Sequence, residues 1–214
     1  MTEPYFTDSS GRVMIYCGDA REILGELRAD AIVSDPPHGS MPTGAHSRSI
    51  SEWDRLPEQQ DLDLCRAATD GPVVWFGAAR PDCLHALLAL QPLASRVYVW
   101  HRGFSYSRSD GTFWQWQPIL AWGVLKDMGR DVLTAHRVDD CGRVHPAQKP
   151  EGLMRLLVEA ACPVGGTVLD PWMGSGTTLR AAKDLGRKAI GIEIREAACE
   201  VAARRLGQEV LAFP

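Results

Sequence analysis

Two stretches of this 214-residue chain carry side chains whose types and spacing suit group-transfer chemistry: "DPPH" at Asp35-Pro36-Pro37-His38, and "DPWMGSGTT" from Asp170 to Thr178, followed by an acid at Glu193 in "GIEI". In the first, the paired prolines Pro36 and Pro37 enforce an extended, rigid backbone without N–H donors and leave carbonyl oxygens free to accept. That pattern suits an amine with two hydrogens to give. Asp35 accepts one hydrogen, the Pro36 carbonyl accepts the other, and His38 offers a flat ring beside them. The lone pair of a planar exocyclic amine is delocalised, which makes it a poor nucleophile. Two acceptors draw its hydrogens toward a tetrahedral arrangement, and the carboxylate stabilises positive charge developing on nitrogen. No covalent intermediate is needed. The plain alternative is a Pro-Pro turn that only ends a strand.

The second stretch is an apolar strand ending in Asp170, then Pro171, Trp172 and a glycine turn before a helix. Gly174 and Gly176 let the backbone turn sharply and let a ligand come close. A phosphate-binding P-loop would require Gly-Lys-Ser/Thr, and no lysine precedes Lys183 here. A dinucleotide turn would require G-x-G-x-x-G, and only G-x-G is present. A nucleoside carrying an amino-acid tail fits better: Asp170 meets an ammonium, and Glu193, one helix and one strand later, accepts from a ribose diol. An ordinary strand-to-helix turn is the simpler reading of the glycines alone.

These residues need elements to hold them. Short β-branched runs at 12–17, 31–34, 72–76, 96–100, 118–122, 167–170 and 189–193 predict seven strands. Apolar residues spaced by three and four predict helices near 20–27, 60–69, 81–91, 151–161, 177–186 and 195–206. The alternation predicts an α/β fold with a mostly parallel, doubly wound sheet. No helix is predicted between the strands at 96–100 and 118–122, so these form an antiparallel pair. Both chemical stretches then sit just past strand carboxyl ends, where open parallel sheets bind ligands.

Composition bounds the rest. A chain of 214 residues, 45% hydrophobic, builds one core, so residues 1–214 are read as a single domain. The formal charge of −4 gives no global attraction for nucleic acid. The six cysteines are dispersed, with no CxxC pair and no cysteine-histidine cluster at zinc spacing, so no metal is expected and the thiols read as free in a reducing, cytoplasmic setting. No run is long enough to span a membrane, and the N-terminus lacks signal-peptide features.

Taken together, "DPPH" early in the chain, with "HPAQKP", "DPWMGSGTT" and "GIEI" in its last third, resembles the amino-group DNA methyltransferases, in the permuted subgroup whose catalytic motif precedes its cofactor motif. The resemblance covers nearly the whole chain. It implies a seven-stranded Rossmann-like methyltransferase fold with S-adenosylmethionine as cofactor and double-stranded DNA as substrate. Asp170, Pro171, Trp172, Gly174, Ser175, Gly176 and Thr177 would then surround the methionine part, Glu193 the ribose, and Asp19 in "CGDA" the adenine amine, while also being placed to cap the following helix. Lys149 of "HPAQKP" would reach the cofactor end, unless it is simply a solvated lysine. Trp172 stands where the family usually has Phe. His38 stands where it usually has an aromatic ring to stack on a flipped base.

The resemblance further implies transfer of a methyl group to the N6 amine of adenine by direct in-line displacement after base flipping, in the manner of restriction-modification enzymes. Cytosine N4 is the alternative target. Two other readings share the fold: methylation of a planar nitrogen in RNA or protein, and a catalytically silent DNA-binding protein. Between residues 95 and 149 eight Lys/Arg face five Asp/Glu, interleaved with Tyr106, Phe113, Trp114 and Trp116, which makes 101–148 the candidate DNA-recognition region. An ordinary surface with some core packing has the same composition. The region is short, so target preference is brief or loose, or depends on a second subunit in a homodimer.

Overall fold

A computed structural model describes residues 2–38, 55–103, 115–135 and 148–208. Within them the strands are β1 (Phe6–Thr7), β2 (Val13–Cys17), β3 (Ala31–Ser34), β4 (Val73–Phe76), β5 (Arg96–His101), β6 (Trp116–Trp122), β7 (Val132–Thr134), β8 (Thr167–Asp170) and β9 (Lys188–Glu193). The helices are α1 (Ala20–Ile23, continued by a 3-10 turn at Leu24–Glu26), α2 (Gln59–Ala67), α3 (Pro81–Ala89), α4 (Glu151–Ala161), α5 (Thr177–Asp184) and α6 (Glu196–Gly207). All seven predicted strands and all six predicted helices are present. The sheet has nine strands rather than seven, in the order β1-β2-β9-β8-β3-β4-β6-β5-β7. The two additions, β1 and β7, lie at its edges and are two and three residues long. Runs this short carry no period-two signal; their pairing is created by the neighbouring strand.

Strands β2, β9, β8, β3 and β4 pair in parallel, β6 runs antiparallel to both β4 and β5, and β1 is antiparallel to β2. The central strands are buried on both faces, which is why "AIVS" and "VVWF" read as continuous apolar runs. Alternate side chains go to opposite layers. Val74 and Phe76 pack with Leu153, Leu157, Leu179 and Leu206 from α4, α5 and α6. Val73 and Trp75 pack with Leu62, Cys65, Cys83 and Leu87 from α2 and α3. Each fully buried leucine contributes about 2 kcal/mol. Among the described residues no helix is long and apolar enough to cross a membrane.

Candidate active site

The five parallel strands end on one edge of the sheet, and four of them lead directly into the acids singled out from the sequence. Along that edge the order is Asp19 (after β2), Glu193 (ending β9), Asp170 (ending β8) and Asp35 (after β3). Three strand spacings of about 4.8 Å separate the first from the last, roughly 14 Å. Residues from both termini of the chain thus converge on one crevice, because β3 pairs directly with β8.

Asp170 is the most buried of the four, 2% exposed. Its Oδ1 accepts from the Ser34 hydroxyl and from Trp172 N at 3.2 Å, and Thr178 also donates to the carboxyl. Burial nevertheless pushes its pKa up to about 6, with the Asp35 charge adding to the rise. The glycine turn follows. Gly174 and Gly176 both have positive φ, +52° and +75°, a conformation that glycine adopts without strain. A Cβ on Gly176 would meet the Ala202 Cβ at 3.1 Å, whereas one on Gly174 would face open space. The turn is therefore tight against α6 at its back and open at its front. Pro171, Ser175 and Thr177 are buried within it.

Glu193 bridges the turn to the next element: Oε2 accepts from Gly174 N at 3.1 Å, and Oε1 from Arg195 N at 3.0 Å. Oε1 also accepts from Arg195 Nε at 3.2 Å, which leaves about one of the carboxylate's four lone-pair directions for a ribose hydroxyl. Asp19 is the N-cap of α1, its Oδ1 accepting from Arg21 N at 2.9 Å. Trp172 packs edge-on against Trp75, ring centroids 5.7 Å apart.

In the proline stretch, Asp35 Oδ1 is buried and has no hydrogen-bond partner among the described residues. Its other oxygen, Oδ2, is paired with the Lys149 ammonium, which also lies 4.9 Å from the centroid of the Phe76 ring. The sequence puts Lys149 near the cofactor; the fold puts its charged end on Asp35. His38 Nδ1 lies 2.9 Å from the Pro36 carbonyl, so that nitrogen carries the proton and donates it. The ring is mostly buried and stands 4.0 Å from Asp35 Oδ1.

Two contributors escaped the sequence reading. Ser34, a buried hydroxyl ending β3, links the two motifs through Asp170. Arg205, on α6, donates to the Ser175 carbonyl at 2.8 Å and reaches the hydroxyls of Ser175 and Thr177 at 3.4 Å. Burial and the nearby Arg180 lower its pKa, the first effect being the larger. In a helix such an arginine looks like any surface cation, and only its aim at the turn distinguishes it. Arg205→Met keeps the stem and removes the Nη1 group that makes all three contacts. It is expected to weaken S-adenosylmethionine binding about tenfold, measured by calorimetry, with the melting temperature lowered by no more than a few degrees. Of the candidate recognition region, 104–114 and 136–147, with Tyr106, Phe113 and Trp114, lie outside the described residues. Its first part, His101 at the end of β5 and Arg102 with its guanidinium 5.3 Å from the Trp100 ring centroid, is at the same sheet edge as the acids.

Comparison with known proteins gives the family and the fold. Residues 95–204 match the N6/N4 methyltransferase family model, described as DNA methylase. The Type II methyltransferase M2.DpnII of Streptococcus pneumoniae is 40% identical, over 98% of this chain and 94% of that protein. M2.LlaDCHI of Lactococcus lactis subsp. cremoris, also a Type II methyltransferase, is 38% identical over 97% and 93%. Among solved structures, the complex of M1.HpyAVI with S-adenosylmethionine superposes with TM-score 0.68 at 23% identity, covering 92% of this chain and all of that one. The cytosine-N4-specific PvuII DNA methyltransferase superposes with TM-score 0.74 at 16% identity, covering 100% of this chain and 91% of that one. At these identities the two structures speak to the fold.

Proposed function

The chain belongs to the N6/N4 DNA methylase family, and on that premise we propose that it methylates the N6 amine of adenine in double-stranded DNA, as the methyltransferase of a restriction-modification system. The observation that carries the reading is the row of four acids on one sheet edge, ending at a buried carboxylate oxygen that has no donor among the described residues.

The residues fit S-adenosylmethionine. Gly174 leaves open space in front of the turn, Asp170 is a buried carboxylate suited to an ammonium, and Glu193 keeps a lone pair for a ribose hydroxyl, with a second where the Arg195 side chain yields its place. When bound, the cofactor supplies an electrophilic methyl group on its sulfonium. Along the edge, Asp19 takes the adenine end, Glu193 the ribose, and Asp170 with Pro171, Trp172, Ser175, Gly176 and Thr177 the methionine end. Asp35 and Pro36 hold the target amine by its two hydrogens and bring its lone pair forward, Asp35 offsetting charge as it develops on nitrogen. Pro37 keeps that backbone extended. The target base must leave the duplex stack to reach them, at a cost of a few kcal/mol. Cations of 101–148 contact the phosphates meanwhile.

By resemblance to the family, whose cytosine-N4 members more often begin this motif with serine or threonine, the aspartate of Asp-Pro-Pro points to adenine. PCR-amplified genomic DNA, which is unmethylated and rich in short sites, is incubated with the protein and methyl-labelled S-adenosylmethionine, then digested to nucleosides. Label in N6-methyladenine is expected; N4-methylcytosine would replace the base assignment, and no label in DNA would overturn the enzyme reading. In the same assay His38→Tyr is expected to preserve or raise turnover, since a larger ring covers more of a purine. Complete loss would assign His38 to holding the Pro36 carbonyl instead of stacking.

A further inference from the structure

We propose that Lys149 is a positioning residue for the methyl-transfer step, fixing Asp35 through one oxygen so that the other is presented to the target amine. The inference rests on the functional reading above and deepens it. Lys149 precedes α4, and Pro150, the N-cap residue of that helix, sets the chain's direction there. Leu153, Met154 and Leu157 seal α4 onto the sheet, which leaves Lys149 only 9% exposed. Its ammonium lies over the buried Phe76 ring, 4.9 Å from the centroid, and meets Asp35 Oδ2. A charge so enclosed requires a counter-charge, and Asp35 supplies it.

The consequence lies on the other oxygen. Asp35 Oδ1 is buried without a donor among the described residues, which leaves its lone pairs for the target amine. The nearest ring nitrogen, His38 Nδ1, is 4.0 Å away and already donates to Pro36. Without Lys149 the carboxylate is free to rotate toward that histidine. It would then consume the acceptor that the amine needs. Among the described residues, charged groups nearby include Asp170, whose carboxyl feels the Asp35 charge, and Arg80, which donates to the His38 carbonyl at 3.5 Å. Neither replaces the Lys149 contact.

The test compares Lys149→Met with Lys149→Arg, measuring kcat at saturating S-adenosylmethionine in the labelled-DNA assay and cofactor Kd by calorimetry. Methionine keeps the apolar stem and removes the charge; arginine keeps the charge and crowds the stem. Lys149→Met is expected to lose on the order of 10- to 100-fold in kcat with Kd changed less than about twofold, and Lys149→Arg to retain more kcat than Lys149→Met. Three results overturn the role: an unchanged kcat in Lys149→Met, a weakened Kd with kcat intact, which would make Lys149 a cofactor ligand, or Met outperforming Arg, which would make it packing. Should Lys149→Met not fold, the Kd and kcat of Lys149→Arg decide, since a cofactor ligand or a packing residue would lose binding or stability there first. A wild-type protein that labels no DNA overturns the functional reading and this role with it. A labelling wild-type with an indifferent Lys149→Met overturns this role alone.

Discussion

Asp35→Asn is expected to lower kcat about 100- to 1000-fold while leaving S-adenosylmethionine affinity within a few-fold of wild type. The amide is nearly isosteric, so the shape of the site survives; what is lost is the charge that opposes positive charge forming on the target nitrogen. The effect falls on kcat because that charge develops only in the transition state. A second consequence follows from Lys149, whose enclosed ammonium loses the Asp35 charge in this variant. Asp35→Asn is therefore also expected to be less stable than wild type. Adding Lys149→Met should restore stability without restoring turnover. Thermal melts and labelled-DNA kinetics on the single and double variants check both halves. An Asp35→Asn enzyme with near-normal kcat would remove Asp35 from the chemistry.

Asp170→Asn is expected to trade cofactor binding for stability. The folded protein holds the Asp170 proton up to a pKa of about 6, against 3.8 for the ordinary carboxyl. The folded state therefore binds this proton more tightly than the unfolded one. The resulting stability is fully present below the unfolded value and is lost as pH rises through about 6. Two pKa units correspond to about 3 kcal/mol. At neutral pH the free protein carries that cost as a buried anion, and a bound ammonium would offset it. Asp170→Asn should thus raise the melting temperature of the free protein by a few degrees at pH 8 and by little at pH 4, while weakening S-adenosylmethionine about 100-fold. In the wild type, affinity should fall as pH drops below about 6, approaching tenfold per unit, because the proton competes with the ligand's ammonium. Melting curves at the two pH values and a calorimetric pH series measure these effects. A cofactor affinity flat across pH 5 to 8 would place the ammonium elsewhere.

The boundaries of the elements were legible because each is written locally. "AIVS", "VVWF" and "TVLD" are apolar through and through since both faces of those strands are covered, and the helices between them keep a three-and-four spacing because one side faces the sheet. The chemical residues were legible for the same reason: Asp35, Pro36 and His38, or Asp170, Gly174 and Gly176, lie within a few positions of one another and fix the backbone by their own covalent geometry. Edge strands β1 and β7 were not, because two or three residues borrow their conformation from a partner strand.

What the chain could not state locally is which strand lies beside which. Parallel neighbours β3 and β8 are joined across most of the sequence, and only burial of the whole sheet selects that pairing. Tertiary structure therefore decided that Ser34 donates to Asp170, that Arg205 braces the glycine turn from α6, and that Lys149 serves Asp35. Residue types and short spacings determine what a segment is able to do. Which charges face one another across the crevice depends on packing free energy summed over the two apolar layers, and no local stretch of sequence carries that sum.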